Sequence, residues 1–439
     1  MEKSQGYLSS DIDGLLEASN LSKSQLLIWM GQKLNPDIPL YNMVLTFTMA
    51  GELALRPFQQ AFQTLLAHSD ALRTVVEEVD GIPQQRVLPP VPYDLAVLDF
   101  ASEPEPLAAL QRWLAPRCVL QFDLARCLFD TALIRLGPQQ FVWYLNQHHL
   151  ITDAWSTVLL YRHLAILYAQ ECGGPRLDAP RLPDFQAYIA HEQATRHTPS
   201  YQRATAYWRQ QAAEAPEPIR LYGQGPATQA TQTQRVRCDL GRERSQRLQA
   251  LAQTKDLRSL TPELSWFTIF ATLLFAYLSR LSGQRHLAIG TPSHNRASET
   301  FQATPGLFIE IHPLCLTLEE NESFVSLLQK VRQQTYALLR YAQPGASSLE
   351  AHRSYNVLLN YIHVAFPAFH GLPTQVQWHH PGHGDRHHSL RLQVHDFDAS
   401  GCFGLDFDFN CEVFPEAQRQ PATQHFLRKK DHRKALARA

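Results

Sequence analysis

From Met43 to Met49, large apolar residues (Met43, Leu45, Phe47, Met49) alternate with smaller ones (Val44, Thr46, Thr48), and this period of two predicts a strand. Leu21 to Leu34 before it reads as a helix with a largely apolar face that includes Gln25 and Trp29. After it, Phe58, Phe62, Leu65 and Leu66 fall at helical spacing. Phe141 to Asn146 predicts a second strong strand and Ala154 to Tyr168 a largely apolar helix. Gly173 to Pro183 and Glu214 to Thr233 are rich in turn formers and read as loops, with a helical segment containing Tyr188 and Trp208 between them. A domain boundary therefore falls within 173–235, and we place it between an N-terminal lobe, 1–178, and a C-terminal lobe, 179–439.

In the second half, Thr261 followed by Pro262 predicts a helix start and Gly283 a stop. Strand-like runs follow at His286 to Gly290, Leu307 to Leu316, Val357 to Ile362 and Cys402 to Asn410. Helices and strands alternate in both halves, so the class is α/β or α+β, with two lobes of similar rhythm.

Length and composition narrow the function classes. A chain of 439 residues exceeds one ordinary core, and 44% hydrophobic against 18% charged residues excludes bulk disorder. The formal charge of −1 gives no global attraction to nucleic acid or anionic membrane. The N-terminus lacks the apolar run of a secretory signal. The most apolar helix candidate, Trp266 to Leu278, falls short of the roughly 20 residues that span a bilayer. Seven scattered cysteines without a CxxC fit a reduced, cytoplasmic protein.

The chemically loaded segment is Asn146-Gln147-His148-His149-Leu150-Ile151-Thr152-Asp153-Ala154-Trp155-Ser156, between an apolar strand and an apolar helix. Histidine there can take a proton near neutral pH or hold a nucleophile in place. Two readings stand side by side. His148 and His149 are satisfied core histidines and Asp153 a plain N-cap bonded to the amide of Ser156, or the three form a reacting centre. A second cluster, His379 to His388, has five imidazoles and Asp385, but Pro381, Gly382 and Gly384 make it a solvated loop without the spacing of a structural zinc site. We expect no metal. The basic tail Arg428 to Ala439 reads as solvated surface.

The His segment resembles the HHxxxDG hallmark of condensation domains of nonribosomal peptide synthetases. Leu21 to Trp29 is similar to that family's SxAQxRLW, and His68 to Thr74 to its RHExLRTxF. Asp184-Phe185 and Tyr207-Trp208 resemble its YxDF and YW segments. Ile289 to Arg296, with Glu299 and Gly306, resembles IGxPxxNRxxxE and the glycine beyond. Asn360-Tyr361 matches the end of an FNYQ-like motif, and Phe407 to Phe414 resembles the closing strand segment.

The resemblance implies two chloramphenicol-acetyltransferase-like lobes in a V with the active site between them. It implies condensation of a carrier-bound acyl or aminoacyl thioester with an amine or hydroxyl, an acyltransferase reaction. His149 takes the catalytic position, as base or positioner, with His148 and Asp153 as structural supports. Arg296 is implied as the partner of Asp153, and Asn360 and Ala154 as supporting residues. Trp155, Ser156 and Glu310 are expected along the substrate tunnel. No cofactor is expected on the chain itself; phosphopantetheine arms come with acyl or peptidyl carrier proteins, supplied in trans or from a larger polypeptide.

Two departures bear on substrate. Ala154 stands where the family usually has Gly, and its methyl group narrows the expected acceptor path. Glu310 replaces the usual Asn of a GFFVN-like run; facing the tunnel it favours cationic substrates, and facing solvent it means little. Alternatives are a free-standing acyl-CoA-dependent acyltransferase and a catalytically inactive docking module. Heterocyclisation domains replace the His pair with Asp, nothing favours epimerisation, and the DFGWG segment of plant acyl-CoA acyltransferases has no counterpart.

Overall fold

Helix ends follow local chemistry. In the computed structural model, which describes residues 9–175, 181–226, 229–347 and 354–427, Ser22 caps one helix and its side chain accepts from the Gln25 amide. Thr261 caps another and accepts from Leu264, and that helix stops at Gly283, whose φ of 71° is left-handed and favours glycine. The expected boundary at 178/179 and the basic tail from Arg428 lie outside the described residues.

In chain order the described elements are α1 (Ser9–Ala18), α2 (Lys23–Leu34), β1 (Asn42–Ala50), α3 (Leu55–His68), β2 (Thr74–Val79), β3 (Ile82–Val87), β4 (Ala96–Asp99), α4 (Pro106–Cys118), β5 (Phe129–Gly137), β6 (Gln140–His148), α5 (Ala154–Glu171), α6 (Gln186–Thr195), α7 (Pro199–Ala213), β7 (Thr233–Asp239), α8 (Gly241–Ala252), α9 (Pro262–Ser282), β8 (His286–His294), α10 (Glu299–Ala303), β9 (Ile309–Thr317), α11 (Phe324–Tyr341), β10 (Val357–Ile362), β11 (Thr374–His379), β12 (Leu390–His395), β13 (Gly404–Asn410) and α12 (Glu416–Leu427).

Two compact units result. The first comprises Met1–Ala194, Arg296–Ile309 and Val364–Pro381; the second comprises Thr195–Asn295, Glu310–His363 and Gly382–Ala439. The first holds a sheet in the order β11-β1-β6-β5-β4, in which β1 lies antiparallel between β6 and β11, with Thr46 opposite both Tyr144 and Gln377. Both faces of β1 are buried, the large apolar residues Met43, Leu45, Phe47 and Met49 on one and Val44 and Thr46 on the other. Phe47 stacks on Trp143 at 4.9 Å and meets Tyr161 at 5.0 Å and Phe366 at 5.2 Å between ring centroids.

The second unit holds a sheet in the order β7-β13-β12-β10-β8-β9. Its core forms where Leu405, Phe407 and Phe409 of β13 and Leu390, Leu392 and Val394 of β12 pack with α9 residues Phe270, Leu274 and Phe275. At 21 residues, α9 is longer than Trp266 to Leu278 and, among the described helices, is long and apolar enough to cross a membrane. Half of its most apolar window is buried in the protein, as in the core helix of a globular unit.

Candidate functional site

β6 ends at His148, a single 3₁₀ turn covers His149–Ile151, and α5 opens at Ala154. Strand end, tight turn and helix start thus present the His pair and Asp153 within six residues of chain. The two imidazoles sit in different surroundings. His148 is buried, its Nδ1 accepts from the Leu150 N–H at 3.2 Å, and Nε2 faces Gln32 Oε1 at 3.4 Å. The Gln32 amide is oriented by Nε2 donating to the carbonyls of Asn35 (2.8 Å) and Ile38 (3.0 Å), so Oε1 is the acceptor and His148 carries its proton on Nε2. Tyr41 and Phe122 meet the ring edge-on.

His149 is half-buried. Its backbone N–H donates to the Tyr41 carbonyl at 2.9 Å, and its Nδ1 lies 2.7 Å from the Thr152 carbonyl. A carbonyl only accepts, so Nδ1 holds the proton and the neutral ring carries its lone pair on Nε2. That tautomer can take a proton at Nε2 while Nδ1 stays anchored.

Burial, then the neighbouring His149, push His148 down from 6.5 to about 3. The folded protein therefore keeps His148 neutral where the unfolded chain protonates it. Stability from this residue is complete above pH 6.5 and is lost as pH falls toward 3, with about 2 kcal/mol gone by pH 5. Urea unfolding at pH 7 and pH 5 tests this. His148→Asn, whose amide oxygen can replace Nδ1 toward Leu150, should lose less stability on acidification than the natural protein, and an equal loss rejects the assignment.

Asp153 fulfils both of its expected structural roles at once. Its Oδ1 accepts from the Ser156 N–H at 2.7 Å as an N-cap. Arg296 Nη2 donates to Oδ1 at 2.9 Å and Oδ2 at 3.1 Å, and the Phe308 N–H donates to Oδ2 at 3.1 Å. Side-chain exposure is 2% for Asp153 and 1% for Arg296. Burial alone would raise the carboxyl pKa, but the Arg296 charge and the bonds from Ser156 and Phe308 outweigh it and hold the group below its ordinary value. Burial lowers the pKa of Arg296, and Asp153 counters that; we take the pair as ionised, since arginine does not give up its proton in proteins.

The other arginine nitrogen, Nη1, donates to the carbonyls of Phe301 (2.7 Å) and Thr304 (2.6 Å), and the guanidinium lies 3.9 Å above the Phe308 ring centroid. Gly306 brings that loop close. A Cβ there would stand 2.1 Å from the Phe185 ring, and its φ of 156° disfavours other residues.

The residues expected along a tunnel are held by hydrogen bonds. Ser156 is fully buried; its hydroxyl accepts from Arg296 (2.7 Å) and the Gly306 N–H (2.9 Å) and lies 2.7 Å from Asp153 Oδ1 and 2.6 Å from the Gly306 carbonyl. Trp155 is 38% exposed and its indole N–H donates to the Gln302 carbonyl at 2.8 Å. Ala154 is the half-buried first residue of α5. Glu310 does not face solvent. It is buried in the second unit and accepts from the amides of Ser347 (2.7 Å) and Gly345 (3.1 Å) and from Asn295 (3.3 Å), so the carboxylate ties a loop.

Asn360, also in the second unit, donates to Gln393, which donates to Asp408, which pairs with Arg235. This polar row crosses β10, β12, β13 and β7. The His379 to His388 segment is more structured than a solvated loop. His379 Nε2 lies 2.8 Å from the Thr46 hydroxyl, His383 bridges to Gln232, and His388 stacks on Tyr355. Among the described residues, no group of three His, Cys, Asp or Glu is placed to hold a metal ion.

The condensation domain family matches residues 17–429. This chain belongs to that family. Condensation domains of nonribosomal peptide synthetases are acyltransferases that form amide bonds. The chain is 24% identical over 424 residues to a dimodular nonribosomal peptide synthase of Bacillus subtilis (strain 168), covering 93% of this chain and 17% of that protein. It is 30% identical over 328 residues to malpibaldin synthetase of Mortierella alpina, covering 73% and 6%. It thus spans less than a fifth of the length of these two relatives.

Among solved structures, the first condensation domain of the calcium-dependent antibiotic synthetase, bound to a substrate analogue, superposes with a TM-score of 0.81 at 22% identity, covering 93% of this chain and 94% of that one. A double mutant of the starter condensation domain of rhizomide synthetase, in complex with C8-CoA and Leu-SNAC, gives 0.78 at 22% identity, covering 93% and 92%. Both likenesses establish the fold.

Proposed function

We propose that this condensation domain joins an acyl or aminoacyl group, delivered as a thioester on the phosphopantetheine arm of a carrier protein, to an amine, forming an amide; a hydroxyl acceptor would give an ester. The carrying observation is His149, a half-buried imidazole whose Nδ1–H is anchored on the Thr152 carbonyl so that Nε2 is its basic atom. In the reaction the acceptor nitrogen attacks the thioester carbonyl and a C–N bond forms. His149 Nε2 takes the proton from nitrogen as the C–S bond breaks, and the departing thiolate receives that proton to leave as free phosphopantetheine thiol.

The thioester is already activated, so alignment and proton removal are what the protein must supply. His148 and Asp153 hold the turn on either side of His149, and Arg296 supports Asp153. Carrier proteins are the partners, and the setting is the cytoplasm, in keeping with seven free cysteines.

Donor choice tests this reading. Remote docking of a carrier can be used to hold the thioester in place, which coenzyme A cannot match. The same acyl group should therefore show a much higher kcat/KM on a carrier protein than on coenzyme A. Equal values would favour a free-standing acyltransferase, and carrier binding without product would favour a docking module.

A further inference from the structure

The 3₁₀ turn that carries His149 is fastened by two glutamines seven residues apart on α2, positions that share one helix face. Leu150, at the centre of the turn, is fully buried, so water cannot satisfy its peptide groups. Its N–H goes to His148 and its carbonyl accepts from Gln25 Nε2 at 3.0 Å, across 125 residues of chain.

Gln25 is itself 1% exposed and fully committed. Its Oε1 accepts from the Ser22 N–H at 3.1 Å, closing the capping box of α2, and Nε2 also reaches Gln85 Oε1 at 3.3 Å. Gln85 in turn is locked to Asn20 by three bonds. The amide therefore cannot flip without setting like groups against each other at Ser22 and at Leu150. Gln32, two turns along α2, receives His148. Both flanks of His149 are thus referred to one helix.

We propose that Gln25 is a positioning residue for the condensation reaction, which through the Leu150 carbonyl fixes the direction in which His149 presents Nε2, with Gln32 acting in the same sense through His148. The proposal rests on the reading of His149 as the proton acceptor. If the Leu150 peptide rotates, the Thr152 carbonyl that anchors Nδ1 moves with the turn, and Nε2 leaves its line.

Gln25→Met keeps length and apolar volume but removes the donor to Leu150. Gln85→Met disturbs the same buried cluster and leaves the Leu150 bond alone. Gln32→Met, at a half-buried site, covers the case in which Gln25→Met fails to fold. With a carrier-bound donor, Gln25→Met should lower kcat about 10- to 100-fold with KM nearly unchanged, the scale expected for a misplaced reacting group. Gln32→Met should lower kcat in the same direction, and Gln85→Met, which leaves the Leu150 bond in place, should lower it clearly less than Gln25→Met. The ¹⁵N resonances of the His149 ring and their pH titration should move clearly more in Gln25→Met than in Gln85→Met.

Equal kcat losses in Gln25→Met and Gln85→Met, or an unmoved His149 titration in Gln25→Met, overturns the proposal. A displaced His149 titration with normal kcat would support the link from Gln25 to His149 and overturn instead the assignment of His149 to the reaction.

Discussion

His149→Ala should lower turnover by about 10²–10⁴-fold, the range for loss of a positioned general base, with little change in melting temperature. The side chain is half-buried, so its removal opens no deep cavity. The pH–rate profile sharpens the test. A base at Nε2 gives kcat/KM an acid limb, where protonation of His149 removes the lone pair, and His149→Ala should abolish that limb along with the rate. His148→Ala should differ in kind. It strips the buried Leu150 N–H of its acceptor and Gln32 of its donor, so its damage should appear first as lost stability. A well-folded His149→Ala protein with near-normal turnover takes His149 out of the mechanism.

What the sequence disclosed about this site depended on how local each signal was. The period of two at Met43 to Met49, the apolar run before His148 and the cap at Asp153 act within a few residues, and β1, β6 and α5 stand where they predicted. Val357 to Ile362 is β10 to the residue. β11 was invisible because Thr374 to His379 mixes polar and apolar residues with no dry face of its own; it exists because β1 offers it a paired edge. The short β2–β3 hairpin was hidden for a similar reason, since only three of six residues on β2 are buried.

At the site, the resemblance placed Arg296 with Asp153, and geometry agrees. Glu310, singled out because it replaces the usual Asn of a GFFVN-like run, accepts from two backbone amides some 35 residues on, partners that a local pattern does not disclose. Gln32 and Thr152 carried no signal. One contributes an amide that many surface positions could hold, and the other acts through its backbone carbonyl, which sequence does not encode.

Asp153→Asn should destabilise the protein by roughly 3–5 kcal/mol, the cost of leaving one member of a buried pair uncompensated. As a cap, Asn serves about as well as Asp, so the N-terminus of α5 gives no reason for the loss. The loss comes from Arg296, which is 1% exposed, cannot shed its proton, and would face an amide where it now meets two carboxylate oxygens. Arg296→Ala should also destabilise, but with a different pH dependence. Without the guanidinium, burial drives the Asp153 carboxyl up, so the group can protonate in the folded state. The natural protein draws stability from its lowered carboxyl above the ordinary 3.8 and loses it as pH falls further. The gap between it and Arg296→Ala should therefore narrow on acidification, whereas the deficit of Asp153→Asn should not close in the same way. Because the pair can be lost only once, the double variant should be less destabilised than the sum of the single changes. Unfolding of the four proteins at pH 7 and pH 5 decides the matter: additive losses, or a neutral Asp153→Asn, would mean that the charge pair does not hold the loop of Arg296 to the start of α5.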